Sequence, residues 1–237
     1  WGLLSSGSSV GSFLWGGGGS FGRTDSKCGV ELTIDSERNL SVLTKLYDLL
    51  ANRDFVLDVS TVQKENGMTN FEILRSVFNE GRGLYISGII GYIEYFRDMD
   101  DEFGILPVPK YSDDQEGYRS FVNAWIHAFI GIPSNADLEF SGFVTEALAR
   151  YSYENVRPKA YDITYKAKAA RDEESAEMLD VIFDNVYLDF EAIYDFGNLM
   201  NSLHTVAVGD AGLASTIASI QPAANTAAAS FVESWLD

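Results

Sequence analysis

The stretch FNEGRGLYISGIIGYIEYFRDMDDEFGILPVPKY, residues 78–111, decides how the rest of the chain is read. Phe78 completes an apolar helical face with Phe71, Leu74 and Val77. Gly81 and Gly83 break that helix, and the apolar segment LYISGII follows. Ile105, Leu106 and Val108 then read as a strand. Pro107 and Pro109 interrupt it, removing backbone donors and fixing the local direction. A chain crossing between two lobes has this pattern.

Upstream, VELTI (residues 30–34) alternates like a short strand, and Asp35 or Ser36 can cap the helix after it. Leu40, Leu43, Leu46, Tyr47 and Leu50 recur on one face of that helix. Downstream, SFVNAWIHAFIGI (residues 120–132) is apolar on both faces, as a central buried strand must be. Phe140, Phe143, Val144, Ala147, Leu148 and Tyr151 mark a further helix. After Pro158 the chain turns mostly helical. Asp172, Glu173 and Glu174 precede Met178, Leu179, Ile182 and Phe183, while Leu199, Leu203 and Val206 share another helix. A last helix has Pro222 near its first turn and Ala224, Ala228, Phe231 and Trp235 on one face. Strands alternating with helices predict an α/β fold.

The charge is one-sided. Thirty-five acids against 17 basic residues give a net charge of −18. Nucleic acid and anionic membranes are poor partners for such a surface, because both require a basic face. A hydrophobic content of 46% with 22% charged residues belongs to a folded protein. No apolar run approaches the roughly 18 residues of a membrane span. Trp1 opens directly onto a Gly/Ser-rich stretch, so the expectation is a removed targeting segment or a start within a longer protein. Cys28 is the only cysteine, which excludes an internal disulfide and a thiolate metal cluster.

Catalytic patterns fail one by one. His127 and His204 stand in no metal-ligand spacing, and no G-x-S-x-G elbow accompanies them. The acids Asp98, Asp100, Asp101 and Glu102 suggest a calcium loop, but the glycine falls at the seventh position and Pro109 takes the twelfth. Asp98 and Asp101 could serve a glycosidase, although adjacent acids on a turn are usually solvated charge. The glycines of FLWGGGGSF (residues 13–21) match neither a Walker loop nor a dinucleotide fingerprint. No metal or organic cofactor is expected, and no enzyme. What remains is 15 Phe, 12 Tyr and 4 Trp. Their faces suit sugar rings, with core packing the plainer role for any one of them.

At FNEGRGLYISG and FRDMDDEFGILPVPKY the chain resembles the extracellular solute-binding proteins of ABC sugar importers, the group that includes maltose-binding protein. In that family a helix ends in F-x-x-G-(K/R/E), here Phe78 to Arg82, and a short strand ends at the cleft, here Leu84 to Gly88. A strand F-G-(I/V)-x-P-x-P, here Phe103 to Pro109, then leads into an interlobe crossover. YENVRPKAYDITYKAKAARDEESAEMLDVIFD is similar to a later segment of the Gram-positive gut branch, P-x-x-Y-x-x-x-x-K followed by RD-(E/D)-ES-x-x-M-L-D.

The resemblance implies an α/β, periplasmic-binding-protein-like two-lobe fold. The C-terminal lobe would be nearly complete and the N-terminal lobe only partly present. Residues 1–108 would open the C-terminal lobe, 109–158 would be an excursion into the N-terminal lobe, and 159–237 would form the helical part of the C-terminal lobe. It further implies a carbohydrate ligand, a permease partner, and either a missing N-terminal lobe or a second copy of the chain. The place would be extracellular as an anchored lipoprotein, or periplasmic in a Gram-negative cell. Relatives carry L-W-x-x-G-G where this chain reads LWGGGG, so the glycine run reads as native, with an engineered linker as the other reading. Gly16 and Gly17 depart from the Gln and Asn of many relatives. The implied ligand-binding residues are Trp15, Gly18, Gly19, Tyr92, Tyr95, Asn123, Trp125 and Tyr194. Trp15 and Trp125 are expected to show accessible ring faces. A glycan hydrolase, or an interaction domain without small ligand, are the competing classes. One further expectation concerns packing: Phe121, Trp125, Phe129 and Ile132 should lie uncovered, so that residues 110–158 pack on another chain or stand apart.

Overall fold

The computed structural model describes residues 1–7, 9–25, 29–62, 67–123, 130–166, 172–208 and 212–236. Strand β1 (Leu3–Ser5) leads into helix α1 (Ser9–Gly16), and β2 (Gly22–Thr24) pairs antiparallel with β3 (Val30–Leu32). Helix α2 (Glu37–Ala51), β4 (Val56–Asp58), α3 (Asn70–Asn79) and β5 (Tyr85–Ile86) follow. Next come β6 (Ser120–Phe121), α4 (Leu138–Tyr151), α5 (Glu173–Asp184), β7 (Val186–Tyr187), α6 (Phe190–Tyr194), α7 (Leu199–Val208) and α8 (Leu213–Leu236).

Strand β1 lies between β4 and β5, parallel to both, with Leu3 opposite Val56 and Tyr85. Successive strand residues face opposite ways, and the core follows that rule. Leu3 joins Leu14, Trp15, Leu43, Leu46, Leu50 and Leu203, from α1, α2 and α7. Leu4 joins Leu74, Val77, Phe78, Tyr92 and Phe96, from α3 and the 3-10 turn over Ile90–Phe96. The sheet is thus covered on both faces, the arrangement that parallel strands require. Local signals support it: the Ser36 side chain accepts the Asn39 N–H at the start of α2, and Thr69 with Glu72 forms a full capping box on α3.

Three expectations are corrected. Ile105, Leu106 and Val108 join no strand ladder, because Pro107 and Pro109 supply no donors; Ile105 is anchored instead by its N–H to Ser175 Oγ at 3.0 Å. Pro222 lies inside α8 and not near its first turn. The helix continues past it because Ala224 and Ala228 bury their faces, Ala224 directly on Gly197. The segment 120–132 is not one long strand among the described residues. Its strand is β6, which pairs with β7 through Ser120 N–H to Asn185 O and Val122 N–H to Tyr187 O. Phe121 is therefore covered, stacked on Trp15 at 3.7 Å between ring centroids, while Ile130 and Ile132 are exposed. Trp125, His127 and Phe129 fall outside the described residues.

Helix α4 differs from the other long helices described. None of its residues is buried, and Phe140, Phe143, Leu148 and Tyr151 are 59–71% exposed. Tyr153, Val156 and Ile163, on the π-helical turns after it, are exposed too.

Candidate functional site

Ligands of open α/β sheets bind outside the carboxyl ends of the strands. Here that edge is formed by Ser6–Gly7 after β1, Val59–Thr61 after β4 and Ser87–Ile89 after β5. Its floor is polar. The Gly7 N–H donates to Ser60 Oγ at 2.9 Å, the Ser60 N–H to Asp58 Oδ1 at 2.9 Å, and Thr61 Oγ1 to the Asp58 carbonyl at 2.8 Å. The His204 imidazole, from α7, lies against Gly7 so closely that a Cβ there would come within 1.5 Å of Nε2. Any side chain at that position would force the imidazole to move.

Asp58 Oδ2 and His204 Nε2 are both buried and meet no partner among the described residues. Serine, histidine and aspartate together invite a triad reading, but the contacts do not make one. Ser60 Oγ accepts from Gly7, Asp58 binds the Ser60 backbone, and Nε2 touches neither at hydrogen-bonding distance. The rim is apolar, with Ile89 and Phe71 exposed and Tyr92 edge-on to Phe71 at 6.4 Å. Such an edge can hold a neutral, hydroxyl-bearing molecule. A shallow depression of about 690 Å³ lies at the opposite, amino edge, between Trp1, Asp54, Arg82 and Leu84. The sheet rule favours the carboxyl edge over it.

The residues singled out from sequence do not converge. Trp15 was expected to present an accessible ring, yet it is fully buried. Phe121 stacks on its face, Phe21 meets it edge-on at 5.2 Å, and its Nε1–H donates to Asp189 Oδ2 at 2.8 Å. An indole brings a large apolar body with one donor, and the carboxylate of Asp189 satisfies that donor inside the core.

The glycine run is part of the fold. Gln115 Nε2 donates to the Gly16 carbonyl at 2.8 Å and Arg119 Nη1 to the Gly19 carbonyl at 3.2 Å. Gly18 takes φ = +84° beside the Gln115 side chain, a conformation that glycine adopts without strain. Gly18 and Gly19 thus seat the loop after Pro109.

Tyr92 is 8% exposed, and burial raises its hydroxyl above the usual tyrosine range. Tyr95 is exposed, with the Arg75 guanidinium 3.7 Å over its ring. Tyr194 packs on Phe231, Phe190 and Phe196 at 4.4–5.7 Å in a separate cluster. Asn123 is half-buried just past β6. Asp98 and Asp101 are both exposed. Sequence reasoning did not single out Ser6, Gly7, Asp58 or Ser60, and it weighed His204 only to set it aside. The available signal was DVST (residues 58–61), an aspartate–serine turn directly after the apolar FVL. Among the described residues no group of three or more His, Cys, Asp or Glu could hold a metal, and no helix is long and apolar enough to cross a membrane.

No protein-family model matches the chain, and no curated protein sequence matches it. Among solved structures it is similar to the ABC substrate-binding protein Lmo0181 from Listeria monocytogenes in complex with cycloalternan, with a TM-score of 0.59 and 14% sequence identity. The match covers 98% of this chain. The fold is periplasmic-binding-protein-like. The chain spans 58% of that neighbour's length.

Proposed function

We propose that the chain is part of the substrate-binding component of an ABC importer and takes an oligosaccharide at the carboxyl edge of its parallel sheet. The observation that carries this reading is the fold shared over 98% of the chain with a substrate-binding protein solved with cycloalternan. The polar floor and apolar rim of the edge support it, because sugars need hydroxyl partners on one side and an apolar face on the other. The same reading assigns residues 1–108 and 159–237 to one lobe and 109–158 to an excursion into a second lobe that completes the cleft. The uncovered face of α4 supports that division, since monomers rarely leave so much contiguous apolar surface in water. A permease would receive the sugar, and the protein would work outside the cytoplasmic membrane, anchored by a lipid or free in a periplasm.

Binding rather than turnover is the proposed chemistry. Asp98 and Asp101 are exposed on the surface, and the Ser60–His204–Asp58 set lacks the contacts of a nucleophile and its base. Isothermal titration against cyclic and linear oligosaccharides, with product analysis, tests it. Saturable heat without new reducing ends is expected. Release of reducing ends would replace the reading with a hydrolase, and no heat with any sugar would favour an interaction domain.

A further inference from the structure

Glu191, in α6, is fully buried, and neither of its carboxyl oxygens makes a hydrogen bond of normal geometry among the described residues. The Phe196 N–H is turned toward it and favours the charged form, but falls short of a full bond. The charged groups around it give no compensation. Asp189 precedes α6 and Asp195 caps its end, both carboxylates. Arg23, on the adjoining β2, is held by Glu31 at 2.8 Å, and Arg119 is taken up by the Tyr187 ring and the Gly19 carbonyl.

Asp189 itself is well supplied. Its Oδ2 accepts the Trp15 Nε1–H and the Phe21 N–H at 3.0 Å, and its Oδ1 accepts the Glu191 N–H at 2.9 Å. Burial raises the carboxyls of both acids above the usual range, but Asp189 has several donors that favour its charged form, whereas Glu191 has only the poorly placed Phe196 N–H. Asp189 is also the hub of a junction. It holds Trp15, Trp15 stacks on Phe121 of β6, and β6 pairs with β7, two residues before Asp189. Through this junction residues 109–158 are fastened to the body.

We propose that Glu191 is a proton-dependent latch: protonated, it lets the Asp189–Trp15–Phe121 junction close, and ionised, it forces the junction open. A second negative charge beside Asp189 has no donor of full hydrogen-bonding geometry to meet it, so the least costly response is separation of β6 from α1 and β7, with entry of water. Burial, reinforced by Asp195 and Asp189, pushes the Glu191 carboxyl up to about 9. The latch therefore stays shut at neutral pH and releases in alkali. This inference stands whether or not the chain binds sugar.

The test compares wild type with Glu191→Gln by hydrogen exchange at the Ser120 and Val122 amides, whose bonds to Asn185 and Tyr187 form the β6–β7 pair. Intrinsic exchange cancels when both proteins are read at the same pH. Between about pH 7 and about pH 9.5 wild type should lose about tenfold or more of its protection relative to the variant. Equal protection at every pH would overturn the latch. Should the variant not fold, carboxyl carbon shifts of wild-type Glu191 decide. A midpoint near 9 supports the proposal, and one near 4.5 overturns it.

Discussion

Helices α2 and α4 look alike in sequence and differ in almost everything that packing decides. Each is about four turns long, each is capped by a side chain (Ser36 or Asp137), and each carries apolar residues at helical spacing. Yet α2 buries Val42, Leu43, Leu46 and Leu50 against α1 and α7, whereas α4 buries nothing. Periodicity shows which face of a helix seeks cover. It does not show whether the cover lies in the same chain. The contrast divides the molecule into a body whose apolar faces meet and a limb whose apolar faces do not.

The largest effect should come from removing the node that joins the two regions. Trp15→Ala should cost about 3–5 kcal/mol in denaturant unfolding, from cavity formation and from the Asp189 oxygen left without its indole donor. A loss below about 1 kcal/mol would mean that the stacked Trp15–Phe121 pair is not packed as described. Next is Glu191. Its proton is held to about 9 in the fold but given up near 4.5 in the unfolded chain. Stability from this source is complete below the unfolded value and falls as pH rises through that window, by up to about 1.4 kcal/mol per unit. Glu191→Gln should therefore raise stability at pH 8 by on the order of 2 kcal/mol and flatten the alkaline fall. Parallel pH profiles for variant and wild type would refute this.

Gly18→Ala should cost about 1–2 kcal/mol, because φ = +84° strains any residue with a Cβ. A neutral result would return the glycine run to the status of a linker. Smallest is Phe143→Ser on α4, which should change the stability of this chain by no more than about 0.5 kcal/mol. The same change should weaken association with whatever covers α4. A large loss of stability would mean that α4 is packed within the chain.

How much of this was legible depended on the range of the forces involved. The helical faces of α2, α3 and α7 follow from local spacing, and sequence reading found them; it narrowed the α2 cap to Asp35 or Ser36 and placed acids at the start of α5 without naming Asp172 as the cap. The three-residue strands β1 and β4 are too short for a period to register, so the sheet and its carboxyl edge had to come from the structure. Trp15 shows the limit most plainly. An aromatic beside a glycine turn suits a ligand or a core equally well. What decided its place was a carboxylate 174 positions away. Long-range partners of this kind leave no trace in a window of neighbouring residues.

Hydrogen exchange across α2 and α4 in a demonstrated monomer tests the central contrast most directly. A helix without tertiary cover is marginal at 14 residues, while a helix with four buried anchors opens only with the body. The α4 amides should exchange at least about a hundredfold faster than those around Leu43 and Leu46, and slow down once the cover of the apolar face is supplied. Equal protection of the two helices in the monomer would contradict the account, because α4 would then have its partner within this chain.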